Sequence, residues 1–251
     1  MLRLTESLFS QYPDAVKASY YERVLFNHIL SAYDPKKGMC CYFTSMRPGH
    51  YRIYASRDSS FWCCGHTGLE SPAKLGKFIY SHKATNRKEE KEIRVNLFIP
   101  SVLTWHEGGA EQLLLGNDGY WMIDKVWNRK NRISLQLPMH TYTENLIGTG
   151  RYVALLYGPY VLAGRMGKEN LPSTFWGKMN NTAMNKMDLS KVPVFNIPAT
   201  QIPDHVEPVF ERGTLRFNIH LKGFENVVLE PFYKIHFERY AIYWPTASSN
   251  E

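Results

Sequence analysis

Apolar and polar positions change period along this chain. Up to Ala32 the spacing is helical. Asp14, directly after Pro13, has the side chain and the position of a helix N-cap. Asp34-Pro35 ends the run, because a residue before proline is pushed out of the helical region. The pattern predicts a helix from Asp14 to about Ala32. Along it Leu25, Phe26 and Ile29 fall at i+3, i+4 and i+7 from Glu22, which puts Glu22 on an apolar face. A carboxylate there must be paired, protonated or set in a cleft, and its bland reading is a structural partner for an Arg or Tyr. From about Ile93 the period becomes two, with Ile93, Val95, Leu97 and Ile99 on one face. Similar short runs recur at Ile133 to Leu137, Tyr152 to Leu162, Leu215 to Ile219 and Ile235 to Tyr243, punctuated by turns such as Tyr157-Gly158-Pro159. Helices followed by many short strands predict an α+β chain whose second part is an antiparallel β-sandwich. The polar region Gly167 to Thr200, with Pro172, Pro193 and Pro198, reads as a long excursion within it.

The chemistry concentrates in Ser59-Ser-Phe-Trp-Cys-Cys-Gly-His-Thr-Gly-Leu-Glu70. Thr67-x-x-Glu70 has capping-box spacing, and with Thr67 as N-cap both Cys63 and Cys64 sit near the positive end of a helix dipole. That favours thiolate, the nucleophilic and metal-binding form of cysteine. Ser71 as N-cap with Pro72 at the first helical position is an equally legal start, and it weakens the dipole argument. The alternative to a reactive pair is two small hydrophobes in a core. The other two cysteines, Cys40 and Cys41, are also adjacent, so any disulfide would join one pair to the other. Their bland reading is packing beside Tyr42; the sharper one is extra metal ligands. His28 reads as a helix-packing residue, and His66 as a neighbour of the cysteines rather than a ligand.

Composition narrows the partners. Of the 251 residues 44% are hydrophobic, enough for a core, and the apolar runs fall far short of the roughly 18 residues of a membrane span. Met1 to Lys17 shows no leader pattern, which leaves localisation open. The net charge is +7, yet the densest patch, Lys83 to Arg94, interleaves Lys and Arg with Glu89, Glu90 and Glu92. That is a solvated mixed-sign loop, so neither nucleic acid nor membrane is the expected partner.

Further motifs flank the cysteine stretch in order. Tyr20-Tyr21-Glu22-Arg23 leads into Phe26-Asn27-His28-Ile29-Leu30, then Tyr42-Phe43-Thr44 and Met46-Arg47-Pro48-Gly49. After it come Val95-Asn-Leu-Phe-Ile-Pro-Ser101, Ala154-Leu-Leu-Tyr-Gly-Pro159 and Pro231-Phe-Tyr-Lys-Ile-His236. The succession resembles glycoside hydrolase family 127, the β-L-arabinofuranosidase family, over nearly the whole chain.

The resemblance implies the C-terminal remnant of an (α/α) helical catalytic barrel over residues 1–82 and a β-sandwich region over residues 83–251. It implies a zinc-dependent retaining hydrolase of L-arabinofuranosyl or related glycans. Cys63 would be the nucleophile and also touch zinc, Cys64 would be a zinc ligand, and Glu22 and Tyr42 would contact substrate. Zinc would hold the sulfur as thiolate, and a glutamic acid must still protonate the leaving oxygen. The family's acid/base glutamate and two remaining zinc ligands lie upstream of the segment that Met1-Leu2-Arg3-Leu4 resembles. The expectation is therefore a partial catalytic unit, inactive alone, with weak or absent zinc. Its partners would be a missing N-terminal half or further copies, meeting an open helix face with Val16, Tyr20 and Val24, or the opposite one with Leu25 and Ile29. The alternative function is a non-catalytic β-sandwich module that binds carbohydrate or a partner chain, with Trp105, Trp121, Trp176 and tyrosines as stacking residues. A redox or zinc-storage role for the cysteines ranks last.

Overall fold

The computed structural model describes residues 2–60, 68, 70–71, 76–84, 91–95, 114–115, 120–122, 139–148, 150–177, 191–211 and 214–247. Cys63 and Cys64 fall outside them, as do Leu97, Ile99 and the run Ile133 to Leu137. The chain divides into two compact units that interleave along the sequence, Met1–Leu25 with Ala73–Met139 and Phe26–Pro72 with His140–Glu251. Helices come first and antiparallel strands follow, so the class is α+β. No described helix is long and apolar enough to cross a membrane.

The first unit opens with α1 (Leu2–Gln11) and α2 (Ala15–Val24). Asp14 caps α2 as its sequence position predicts: extended itself, it accepts the amide of Lys17 at 2.8 Å. Between the helices Phe9 is buried edge-on to Phe78, with ring centroids 4.8 Å apart, and Tyr21 packs on the same ring at 4.4 Å. The Tyr21 hydroxyl donates to Glu6, and burial beside that carboxylate pushes it up to about 12. Leu4, Leu8, Tyr12, Val16 and Tyr20 recur every four residues and are exposed, Val16 to 79%. Of the face expected to be open, Val16 and Tyr20 are exposed, whereas Val24 is half-buried. Strands β1 (Tyr80–Ala84) and β2 (Lys91–Val95) pair antiparallel from Tyr80↔Val95 to Ala84↔Lys91. β3 (Leu114–Leu115) and β4 (Trp121–Met122) form a second short pair.

The helical run ends at Ala32 as expected but not as one regular α-helix. It widens to a π-turn over Leu25–Ile29 and tightens to a 3-10 turn over Leu30–Ala32. Ser31 Oγ donates to the carbonyls of Asn27 (2.7 Å) and His28 (3.1 Å), competing with the backbone ladder there. The 3.6-residue period that put Leu25, Phe26 and Ile29 on the face of Glu22 therefore stops at Val24. His28 is exposed rather than packed.

The second unit is built on one eight-stranded antiparallel sheet. Its strands are β5 (Thr141–Asn145), β6 (Tyr152–Tyr157), β7 (Tyr160–Arg165), β8 (Val206–Glu211), β9 (Thr214–Ile219), β10 (Val228–Pro231), β11 (Tyr240–Ala241) and β12 (Trp244–Pro245). The order is β12-β6-β7-β10-β9-β8, with β5 on β6 and β11 on β7. The Gly158-Pro159 turn joins β6 and β7 at Tyr157↔Tyr160, and Gly158 takes the positive φ (53°) that such a tight hairpin turn demands. Asn27 clamps this turn: its Nδ2 donates to the Pro159 carbonyl and its Oδ1 accepts the Val161 amide, both at 2.7 Å.

β6 is buried from Val153 through Tyr157, so side chains pack on both faces of the sheet. Ala163 meets Phe232, Ile235, Tyr240 and Ile242. Its neighbour Gly164 points the other way, where the Trp244 indole lies 2.5 Å from the position a Cβ would take. Phe195 and Phe224 stack at 4.3 Å beside that indole. The run Ile235 to Tyr243 yields only the two-residue β11. A 3-10 turn over Phe232–Lys234 precedes it, and Phe237 has a positive φ (57°) that no strand accommodates.

Candidate active site

Tyr42 follows two isolated antiparallel β-bridges, Tyr33↔Cys40 and Cys41↔Tyr54. The Cys41 amide donates to Ala32 O at 2.7 Å and the Ala55 amide to Cys40 O at 2.9 Å, which holds residues 40–41 between two neighbouring segments. Tyr42 itself is half-buried with its ring edge-on to Phe43 at 4.7 Å. Cys41 points inward, and its thiol donates to Phe43 O at 2.7 Å. Burial pushes that thiol up to about 11 against a partial offset from Arg52, so it stays protonated at neutral pH. A protonated, buried thiol is a packing group and a poor metal ligand. This supports the bland reading of Cys41. Neither Cys41 nor Cys40 forms a disulfide.

Beneath this segment lies a buried polar network that sequence reasoning missed. Arg52 is 1% exposed. Its guanidinium donates to the carbonyls of Ile235 and Phe232 and lies 3.9 Å over the Phe232 ring. Tyr54, fully buried, hydrogen-bonds His236 Nδ1 at 2.6 Å, and His236 Nε2 meets Tyr233 O at 2.8 Å. A carbonyl can only accept, so Nε2 carries the proton and Nδ1 accepts the Tyr54 hydroxyl. Burial first, and Arg52 second, hold His236 down at about 4, a neutral imidazole. Burial raises the Tyr54 and Tyr240 phenols, so both remain donors. Tyr240 donates to Ser45 O at 2.8 Å, and its backbone pairs with His50. The one sequence signal was placement: Arg52 sits among Tyr51, Ile53 and Tyr54, an arginine inside an aromatic run.

The described residues that flank the cysteine pair in sequence make their own contacts. Upstream, Ser60 Oγ accepts the Ser56 amide (2.9 Å) and donates to Gly177 O (3.3 Å). Downstream, Gly68 lies against Cys40, whose Sγ is 2.7 Å from where a Cβ would be. A larger residue at position 68 would clash. Gly68 and Glu70 are already helical, so the chain does not begin its turn at Ser71-Pro72. Glu22 is buried in α2 of the first unit; Tyr42 belongs to the second. Among the described residues no group of three or more His, Cys, Asp or Glu side chains is gathered at metal-binding range. Cys63 and Cys64, the zinc ligands expected from the sequence, lie outside those residues.

Residues 1–77 match the family model described as the β-L-arabinofuranosidase GH127 catalytic domain. Residues 142–246 match DUF4986, a domain of unknown function. No curated protein matches the chain in sequence. Solved structures with the same fold include a GH127 β-L-arabinofuranosidase from Geobacillus stearothermophilus T6, with TM-score 0.60 at 15% identity over 98% of this chain and 48% of that one. A GH127 β-arabinofuranosidase aligns with TM-score 0.57 at 13% identity over 98% of this chain and 48% of its own. A further glycoside hydrolase gives TM-score 0.56 at 12% identity, covering 98% and 51%. The chain thus spans about half the length of the solved structures it matches. The resemblance to glycoside hydrolase family 127 is therefore shown, in sequence by the catalytic-domain pattern of residues 1–77 and in fold by the agreement of nearly the whole chain with about half of a solved family structure.

Proposed function

We propose that this chain is part of a retaining glycoside hydrolase acting on L-arabinofuranosides, with Cys63 as nucleophile. The observation that carries the reading is the catalytic-domain match over residues 1–77, a span that includes Glu22, Tyr42, Cys63 and Cys64. Residues 1–82 are read as part of the family's helical catalytic barrel and residues 83–251 as its β-sandwich region. Cys63 would attack the anomeric carbon, and Glu22 and Tyr42 would hold the sugar. Cys63 and Cys64 would hold zinc, which when bound keeps a thiol ionised at neutral pH. This replaces the usual carboxylate nucleophile of retaining hydrolysis. Proton donation to the leaving oxygen is worth about 10²–10⁴-fold, and the resemblance assigns that donor to no residue of this chain.

The test is turnover of an aryl β-L-arabinofuranoside, measured on this chain alone and with the rest of the family fold supplied in the same chain or in trans. Negligible turnover is expected alone. Turnover is expected on complementation, and Cys63→Ala should abolish it. Turnover that survives Cys63→Ala, or a complemented protein that stays inactive while folded, overturns the proposal.

A further inference from the structure

A surface feature outside that chemistry joins two aromatic rings to two ammonium groups. Trp176 and Phe237 are half-buried, with ring centroids 5.4 Å apart and planes at 45°. Both rings are held in place. The Trp176 indole N–H donates to Asp34 Oδ2 at 2.5 Å, and Asp34 is 1% exposed. Phe237 packs on Phe175 at 5.4 Å and on Tyr54 at 5.7 Å. It does so from a left-handed backbone (φ 57°), an outlier for a bulky side chain that a surrounding structure must enforce.

The tight turn Asp34-Pro35-Lys36-Lys37-Gly38 places cations over this pair. Its closure comes from the Gly38 amide donating to Asp34 O (2.9 Å), the Lys36 amide to Asp34 Oδ1 (2.7 Å), and Gly38 at φ 68°. Lys37 Nζ lies 3.8 Å over the Trp176 ring and Lys36 Nζ 4.6 Å over the Phe237 ring, with both lysines exposed. Ammonium groups on flexible stems can swing from a ring to an anion without moving the turn. Next to Trp176, Gly177 accepts from Ser60 Oγ at 3.3 Å.

We propose that Trp176, Phe237, Lys36 and Lys37 form an accessory subsite for an acidic sugar, a uronate residue of a glycan. The rings would take the apolar face of the pyranose, and the lysines its carboxylate. Fixed aromatic faces bind sugar at little entropic cost, and the two cations set the preference for an acid over a neutral sugar. The proposal rests on the reading of this protein as carbohydrate-active, but its test needs no turnover.

Calorimetric binding of trigalacturonate should be compared with that of the corresponding neutral galactose trimer. The uronate trimer is expected to bind more tightly, and added salt should narrow the gap. Trp176→Ala should weaken uronate binding at least about tenfold. Lys36→Gln with Lys37→Gln, both at exposed positions, should bring the two trimers to equal affinity. Equal affinity in the wild type, no uronate binding, or binding indifferent to the double lysine variant overturns the subsite. Uronate binding without Cys63-dependent turnover in the complemented protein would sink the hydrolase reading and leave this one standing; the reverse result would sink only the subsite.

Discussion

Acidification between pH 6.5 and 4 is expected to destabilise this protein through His236. In the folded chain the imidazole is neutral, accepting from Tyr54 at Nδ1 and donating to Tyr233 O from Nε2. A second proton would remove the acceptor and place a new cation near the buried Arg52. The ring accordingly titrates at about 4 when folded, against 6.5 when free. Between those values the unfolded chain binds the extra proton and the folded chain does not. Stability is therefore full above pH 6.5, falls as pH drops, and stops falling below about 4. The displacement corresponds to about 3 kcal/mol, and solvent reaching the half-buried ring cuts this to about 2 kcal/mol. The control is His236→Asn, whose side-chain oxygen can still accept from Tyr54 but cannot titrate. Urea unfolding at pH 7.5, 6, 5 and 4.5 should show the wild type losing about 2 kcal/mol more than the variant. Parallel pH profiles for the two proteins would refute the reasoning. So would an NMR titration placing the His236 imidazole near its ordinary value.

Two further outcomes follow from packing and burial. Gly164→Ala places a methyl 2.5 Å from two atoms of the fully buried Trp244 indole and 3.1 Å from Val227. It should cost about 1–3 kcal/mol or more and lower the urea midpoint, and an unchanged midpoint would mean the indole can yield. Cys41, protonated and 9% exposed, should resist iodoacetamide at pH 7.5 in the native protein and react once unfolded. Peptide mass spectrometry reads this directly, and native labelling as fast as that of a small thiol would contradict the burial argument.

Local chemistry was legible in the sequence alone. The Asp14 cap, the end of the helical run at Ala32, the Gly158-Pro159 hairpin and the strands around Tyr152 to Leu162 and Leu215 to Ile219 all rest on neighbours a few residues apart. The motif order was equally legible, and with it the resemblance to glycoside hydrolase family 127. The tertiary structure decided what depends on distant partners. The widening of the helix after Val24 follows no propensity of Leu25 to Ile29, and the clamp of Asn27 on the Pro159 turn joins residues 132 apart. Arg52 reaches a carbonyl 183 positions away and Tyr54 an imidazole 182 away. Arg239 satisfies its buried guanidinium on the carbonyls of Gly49, Glu169 and Asn170. Backbone carbonyls are the same in every residue, so side-chain identity carries no sign of which carbonyl a buried arginine will find. Only the packed chain, which must pair each buried polar group, settles it.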